Sequence, residues 1–320
     1  MRERVIEGVL YREEVVPGAW TFEGWKGNGH HELSTRPATT WIEVGPVDPT
    51  MGGLPPGSFV LDAQERALAA ERAERDAREA EERRRGYTVG NARRARTKCR
   101  RYIKASAFDE MLTLTYRSNQ VCIVLCKSHF ESWVRRMKRA LGGEFTYCAA
   151  YERQHRGAWH VHVVCHKLPR HVEVKGVKID AWRLGTQVWR SVVGDDGGLC
   201  FVGGRSRHGS PARRRLSCAQ MASYVSKYIT KHYDDVPDGF KSYSHSKGLI
   251  EGERYRFTIT GLGVEGYPGS SFADAVSLGF EVPDGTRIVS WRVNDSDREW
   301  RRCWLVTEPI GGRSHGQEQA

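Results

Sequence analysis

Residues 157–166 read Gly-Ala-Trp-His-Val-His-Val-Val-Cys-His. Their middle, His160-Val161-His162-Val163-Val164, is short, β-branched and alternating, a pattern that predicts a β-strand. Side chains on a strand alternate with period two, so His160 and His162 share one face. Two imidazoles side by side can hold a divalent metal, each through a neutral ring nitrogen. The expectation that follows is a sheet with a metal-ligating strand at its heart.

Working outward, the run Tyr147 to Glu152 is a second apolar strand, followed by a polar connection through Arg156-Gly157. If the two runs form a hairpin turning near Arg156, paired residue numbers sum to about 312 and Glu152 falls opposite His160. A carboxylate beside two imidazoles makes a facial metal site with room for substrate oxygen and water. Farther along, residues 219–231 have helical character, with Tyr224 and Tyr228 spaced i, i+4 and Lys227 three residues beyond Tyr224, all near one face. This pattern admits a packed amphipathic helix. It also admits nucleophilic chemistry, in which a tyrosine hydroxyl attacks phosphorus beside a lysine and a metal. Upstream, residues 109–116 supply a further strand from Met111 to Tyr116.

The order LTLTY (112–116), E-x-Q-x-RGAWHVH (152–162), YVSKYITK (224–231) resembles the three motifs of HUH endonucleases, the rolling-circle replication initiators of bacterial plasmids and of filamentous and microvirus-type phages. The resemblance spans roughly residues 92 to 235. It implies an α+β fold in which an antiparallel sheet carrying the histidines is flanked by helices. It implies His160, His162 and Glu152 as ligands of Mg²⁺ or Mn²⁺. It assigns Tyr224 as the leading nucleophile, Tyr228 as its partner and Lys227 as the lysine of the tyrosine motif. The implied activity is nicking and rejoining of single-stranded or hairpin origin DNA through a 5′-phosphotyrosyl bond that frees a 3′-hydroxyl primer. A single-strand transposase or mobilisation relaxase uses the same chemistry. A non-catalytic basic DNA-binding protein would need none of these groups.

The bounds of the chain agree with a polyanionic partner. Its 320 residues carry a formal net charge of +11, with a pI near 9.4. Arg93, Arg94, Arg96, Lys98, Arg100 and Arg101 follow one another with no acid between them, a run expected to contact DNA phosphates. A glycine-rich basic loop carries Arg205, Arg207, Arg213, Arg214 and Arg215 just before the tyrosine helix; a clamp on single-stranded DNA and a merely solvated loop are both open there. No G-x-x-x-x-G-K-[ST] stretch occurs, so a host helicase and DNA polymerase are expected partners. The longest apolar run, Val121 to Cys126, is too short to span a bilayer, and the N-terminus lacks a signal-peptide core; no membrane association and a bacterial cytoplasmic location are expected. Eight cysteines without a C-x-x-C pair read as reduced thiols.

The domain organisation expected is an irregular or β-like N-terminal appendage at residues 1–60 and a charged linker helix at 61–90, ended by Gly86 and Gly90. An endonuclease core at 91–235, a β-containing extension at 236–310 and a disordered tail at 311–320 follow. His30-His31 reads as part of a solvated glycine-rich loop. Further helices are expected at Lys127 to Leu141 and Ala181 to Val192, with strands at Leu199 to Val202, Arg254 to Thr260, Arg287 to Val293 and Cys303 to Val306.

Overall fold

The computed structural model describes residues 2–47, 63–174, 176–203, 216–231, 240–260, 282–294 and 302–310. Along the chain run β1 (Glu3–Ile6), β2 (Val9–Gly27), β3 (His30–Pro46), α1 (Ala63–Ala105), β4 (Glu110–Tyr116), α2 (Ile123–Ala140), β5 (Tyr147–Arg153) and β6 (Trp159–Cys165). Then come β7 (His171–Val174), β8 (Val177–Asp180), α3 (Ala181–Val193), β9 (Gly197–Val202), α4 (Cys218–Lys231), β10 (Tyr243–His245), β11 (Glu253–Ile259), β12 (Thr286–Asn294) and β13 (Arg302–Pro309). The described residues make an α+β fold with antiparallel sheets. They divide into two compact units, Met1–Arg84 with Glu253–Ile310, and Arg85–Gly252 with Gly311–Ala320.

The second unit is organised by a five-stranded sheet in the order β10-β5-β6-β4-β9. Its central strand, β6, is buried at every position. The odd residues Trp159, Val161, Val163 and Cys165 enter a core with Phe130, Trp133 and Met137 of α2 and Leu184 and Trp189 of α3. On the opposite face Val164 and the β5 residues Cys148 and Ala150 pack with Cys99, Tyr102 and Ile103 of α1 and Met221, Val225, Tyr228 and Ile229 of α4. The sheet is therefore sandwiched, and His160 and His162 lie on the face shared with α4. Gly157, at φ +88°, supports the turn between β5 and β6, where it donates its N–H to the Gln154 carbonyl. At the far edge Gly198 lets β9 close on β4, because a Cβ there would fall 2.5 Å from the Thr115 carbonyl oxygen.

The first unit holds a six-stranded sheet, β1-β2-β3-β13-β12, with β11 on the same edge of β2 as β1. Strands before residue 47 and after residue 252 thus share one sheet, where the sequence reading had separated an N-terminal appendage from a C-terminal extension. Both β2 and β3 are long, with 19 and 17 residues. Pro17 and Gly18 hid this length: the ladder slips between Val15 and Trp20 and resumes beyond. Asn28 and Gly29, both at positive φ, form the two-residue turn that launches β3. His30 and His31 accordingly open a strand instead of lying in a solvated loop, and His30 is buried.

Two helix boundaries also differ from expectation. α1 runs unbroken through Gly86 and Gly90 to Ala105. Each glycine costs about 1 kcal/mol in a helix. Burying Ile103 and Tyr102 at its far end returns about 1.5–3 kcal/mol for a large apolar side chain, so the helix continues. α2 starts at Ile123, four residues before the expected Lys127, because Ile123 and Cys126 are already core residues.

Candidate active site

The β5–β6 hairpin has the register that the sequence implied, with Glu152 paired to His160 and Ala150 to His162. Glu152 leans diagonally, and its Oε2 accepts a 2.7 Å hydrogen bond from His162 Nε2. The other ring nitrogen, Nδ1, lies 3.1 Å from the Thr113 hydroxyl on β4. A hydroxyl can donate or accept, so Thr113 suits either tautomer of His162. His162 is thus oriented from both sides by neighbouring strands.

His160 is buried, and its Nε2 has no hydrogen-bond partner. Burial, with the charge of His162 adding to it, pushes its basicity down to about 4, so the ring is neutral at physiological pH. Burial alone would raise Glu152, but the hydrogen bond and charge of His162 dominate together with Lys231 and hold its carboxyl below the usual range. Among the described residues no three His, Cys, Asp or Glu side chains stand closely enough to hold a metal ion as they are.

α4 crosses β5 and β6 and lays its tyrosines on this cluster. Tyr228 is buried and stacks on His162, with ring centroids 4.7 Å apart and planes 12° from parallel. Tyr224 is half-buried and meets His162 edge-on at 5.5 Å. The two tyrosine rings are 5.4 Å apart. Lys227 is exposed, and its ammonium sits 4.3 Å from the Tyr224 ring centre and 4.8 Å from that of Tyr228. Burial, contact with Tyr224 and the Glu152 charge together raise the Tyr228 hydroxyl far above the usual phenol range. The two tyrosines therefore differ in burial and in electrostatics.

Residues 109–233 match the model of a family of replication-associated proteins, the ORF2 type. This segment belongs to that family. It starts just before β4 and closes just after α4, so it contains every residue of the Glu152, His160, His162, Tyr224, Lys227 and Tyr228 constellation. No curated protein and no solved structure matches the chain.

The basic run of α1 is less uniform than its sequence. Arg93, Arg94 and Lys98 are exposed, whereas Arg96, Arg100 and Arg101 are half-buried. Arg94 is hydrogen-bonded to Asn91, and Lys98 pairs with Glu251 at 3.6 Å while covering the Tyr102 ring. Arg205, Arg207, Arg213, Arg214 and Arg215 lie outside the described residues. Two members of the cluster escaped the sequence reading. Thr113 is joined to His162 only by strand register, and Lys231 acts on Glu152 from the last turn of α4. All eight cysteines are free thiols. Among the described residues no helix is long and apolar enough to cross a membrane.

Proposed function

We propose that the chain is a tyrosine nuclease of the HUH type that initiates rolling-circle replication by nicking and rejoining one DNA strand in a bacterial cytoplasm. The observation that carries this reading is the stacking of two tyrosines of α4 on His162, a strand histidine that itself bonds Glu152. Candidate nucleophiles and candidate phosphate-handling groups share one sheet face. A merely packed helix has no need of a lysine over both tyrosine rings or of a buried, neutral histidine with an unpartnered nitrogen.

In the proposed reaction the Tyr224 oxygen attacks the scissile phosphorus and the bond from phosphorus to the 3′-oxygen breaks. The 5′-phosphate stays on Tyr224, and the released 3′-oxygen takes up a proton as a hydroxyl. The reverse transfer rejoins the strand with no outside energy source, because a phosphotyrosyl ester keeps what hydrolysis would discard. Tyr224 leads because it is the more accessible ring. Tyr228 remains protonated beneath it, suited to donate a hydrogen bond first and to accept a strand in a later transfer. Lys227, with its charge over both rings, stabilises negative charge developing on either phenol oxygen.

The donor set suits a hard divalent cation: one carboxylate and two imidazoles, with the His160 Nε2 buried and unpartnered. Bound by Glu152, His160 and His162, Mg²⁺ or Mn²⁺ would draw charge off the phosphate oxygens. Thr113 keeps the His162 ring oriented for that role. Arg93, Arg94 and Lys98 are the exposed cations of α1 available to DNA phosphates. A chain without a phosphate-loop motif would rely on a separate helicase and polymerase.

Circular single-stranded DNA carrying candidate origins, incubated with Mg²⁺ or Mn²⁺, tests the reading on a denaturing gel. A protein–DNA adduct that disappears in Tyr224→Phe and in His160→Ala supports it. DNA binding without an adduct under every condition would leave a non-catalytic DNA-binding protein as the better description.

A further inference from the structure

The strand registers place five residues in one row across the sheet: Tyr243 pairs with Ala150, Ala150 with His162, His162 with Thr113, and Thr113 with Phe201. Residues directly opposite one another on antiparallel strands point to the same face. Phe201 of β9 therefore shares the face of His162, two strands away, at roughly 4.8 Å per strand. Its neighbour Cys200 turns the other way into the core, as strand alternation requires. Between His162 and Phe201 stands only the small side chain of Thr113. α4 covers β5 and β6, while Phe201 on the outer strand is 46 % exposed.

We infer that Phe201 is a base-stacking subsite for the single strand, holding a nucleobase beside the phosphate to be cut. The inference rests on the nuclease reading for the position of that phosphate. A phenylalanine this exposed on the outer strand adds little to the core, but its ring offers a π surface of the kind that a splayed-out base stacks on. Its separation from His162, near two strand spacings, is on the scale of one or two nucleotides of an extended backbone. The charge of this face fits a polyanion, since Lys227 and Lys231 of α4 are both exposed beside the histidines. Stacking tolerates any base, so this subsite would fix the strand's path without selecting its sequence.

The test uses the full chain carrying Tyr224→Phe, so that no strand is cut, and compares it with the same chain further changed by Phe201→Ala, Phe201→Leu or Phe201→Trp. Each is titrated by fluorescence anisotropy with oligo(dT) and with a fully abasic strand of equal length and charge. The preference for oligo(dT) should fall about 5- to 100-fold in the Ala and Leu variants and persist in Trp, the span expected for one stacked base. An unchanged preference in Phe201→Ala overturns the inference. So does a loss in Ala that Leu restores, because an aliphatic side chain cannot stack. Adduct formation by the chain with both tyrosines is scored separately. Absence of adduct with base preference lost in Phe201→Ala would refute the nuclease and leave a stacking site on a binding protein. Adduct formation with base preference intact would do the reverse.

Discussion

In the five-stranded sheet the two strands that bring the histidines and glutamate together, β5 and β6, are joined by a short turn. In the six-stranded sheet, β13 pairs with β3 so that Cys303 lies opposite Thr35. One sheet assembles its decisive contacts locally and buries polar, reactive groups on one face. The other is closed by strands from the two ends of the described chain, and its centre is apolar and aromatic, with Phe22 stacked on Phe257 at 4.9 Å. The contrast assigns chemistry to the first sheet and cohesion to the second, so substitutions in the two should fail differently.

Tyr224→Phe should give the largest change, a loss of adduct of about a thousandfold or more, since removing a nucleophile forfeits most of its catalytic unit. Its denaturation midpoint should match that of the unaltered chain, because the half-buried ring remains. In the six-stranded sheet, Phe22→Ala removes a fully buried ring and should cost about 3–5 kcal/mol of stability in chemical denaturation followed by tryptophan fluorescence. The remaining folded protein should form adduct at the usual rate. A Phe22→Ala protein that is stable yet inactive would show that the division of labour is wrong.

How much of this contrast could be read from the sequence follows from the same difference in range. The β5–β6 register was legible because a strand pattern, a Gly157 turn and a second strand lie within one short stretch, and Glu152 opposite His160 follows by counting. α4 was legible from the spacing of Tyr224 and Tyr228. The Thr113–His162 hydrogen bond was not, because it depends on which strand lies beside β6, and β4 is distant in sequence. The six-stranded sheet was hidden for a related reason. Pairing between β3 and β13 leaves no local trace, and Pro17-Gly18 breaks the alternation that would have marked β2 as one strand. The Asn28-Gly29 turn was a local signal of the β2–β3 hairpin, and it was passed over because the histidines after it drew the reading toward a loop.

Smaller effects probe the inside of the chemical sheet. Thr113→Val removes the hydroxyl at His162 Nδ1 and should weaken Mn²⁺ binding, measured by calorimetry without DNA, about 10- to 100-fold, with Thr113→Ser restoring most of it. An unchanged Mn²⁺ affinity in Thr113→Val would mean that the hydrogen bond does not position the ring for a metal. Tyr228→Phe keeps the ring stacked on His162 and should slow the first cut by less than about tenfold, the scale of one modest hydrogen bond. Its defect should appear in a second strand transfer, followed as joining of a labelled acceptor strand. Equal losses in Tyr224→Phe and Tyr228→Phe at the first cut would erase the distinction drawn from their burial.

The most direct measurement is to locate the covalent bond itself. The unaltered chain is reacted with single-stranded origin DNA and Mn²⁺, the DNA is trimmed by nuclease, and the peptide spanning residues 218–231 is sequenced by mass spectrometry. The residual nucleotide should sit on Tyr224 after the first cut. Cleaved DNA ending in a free 5′-phosphate, with no modified tyrosine in this peptide, would contradict the tyrosine mechanism.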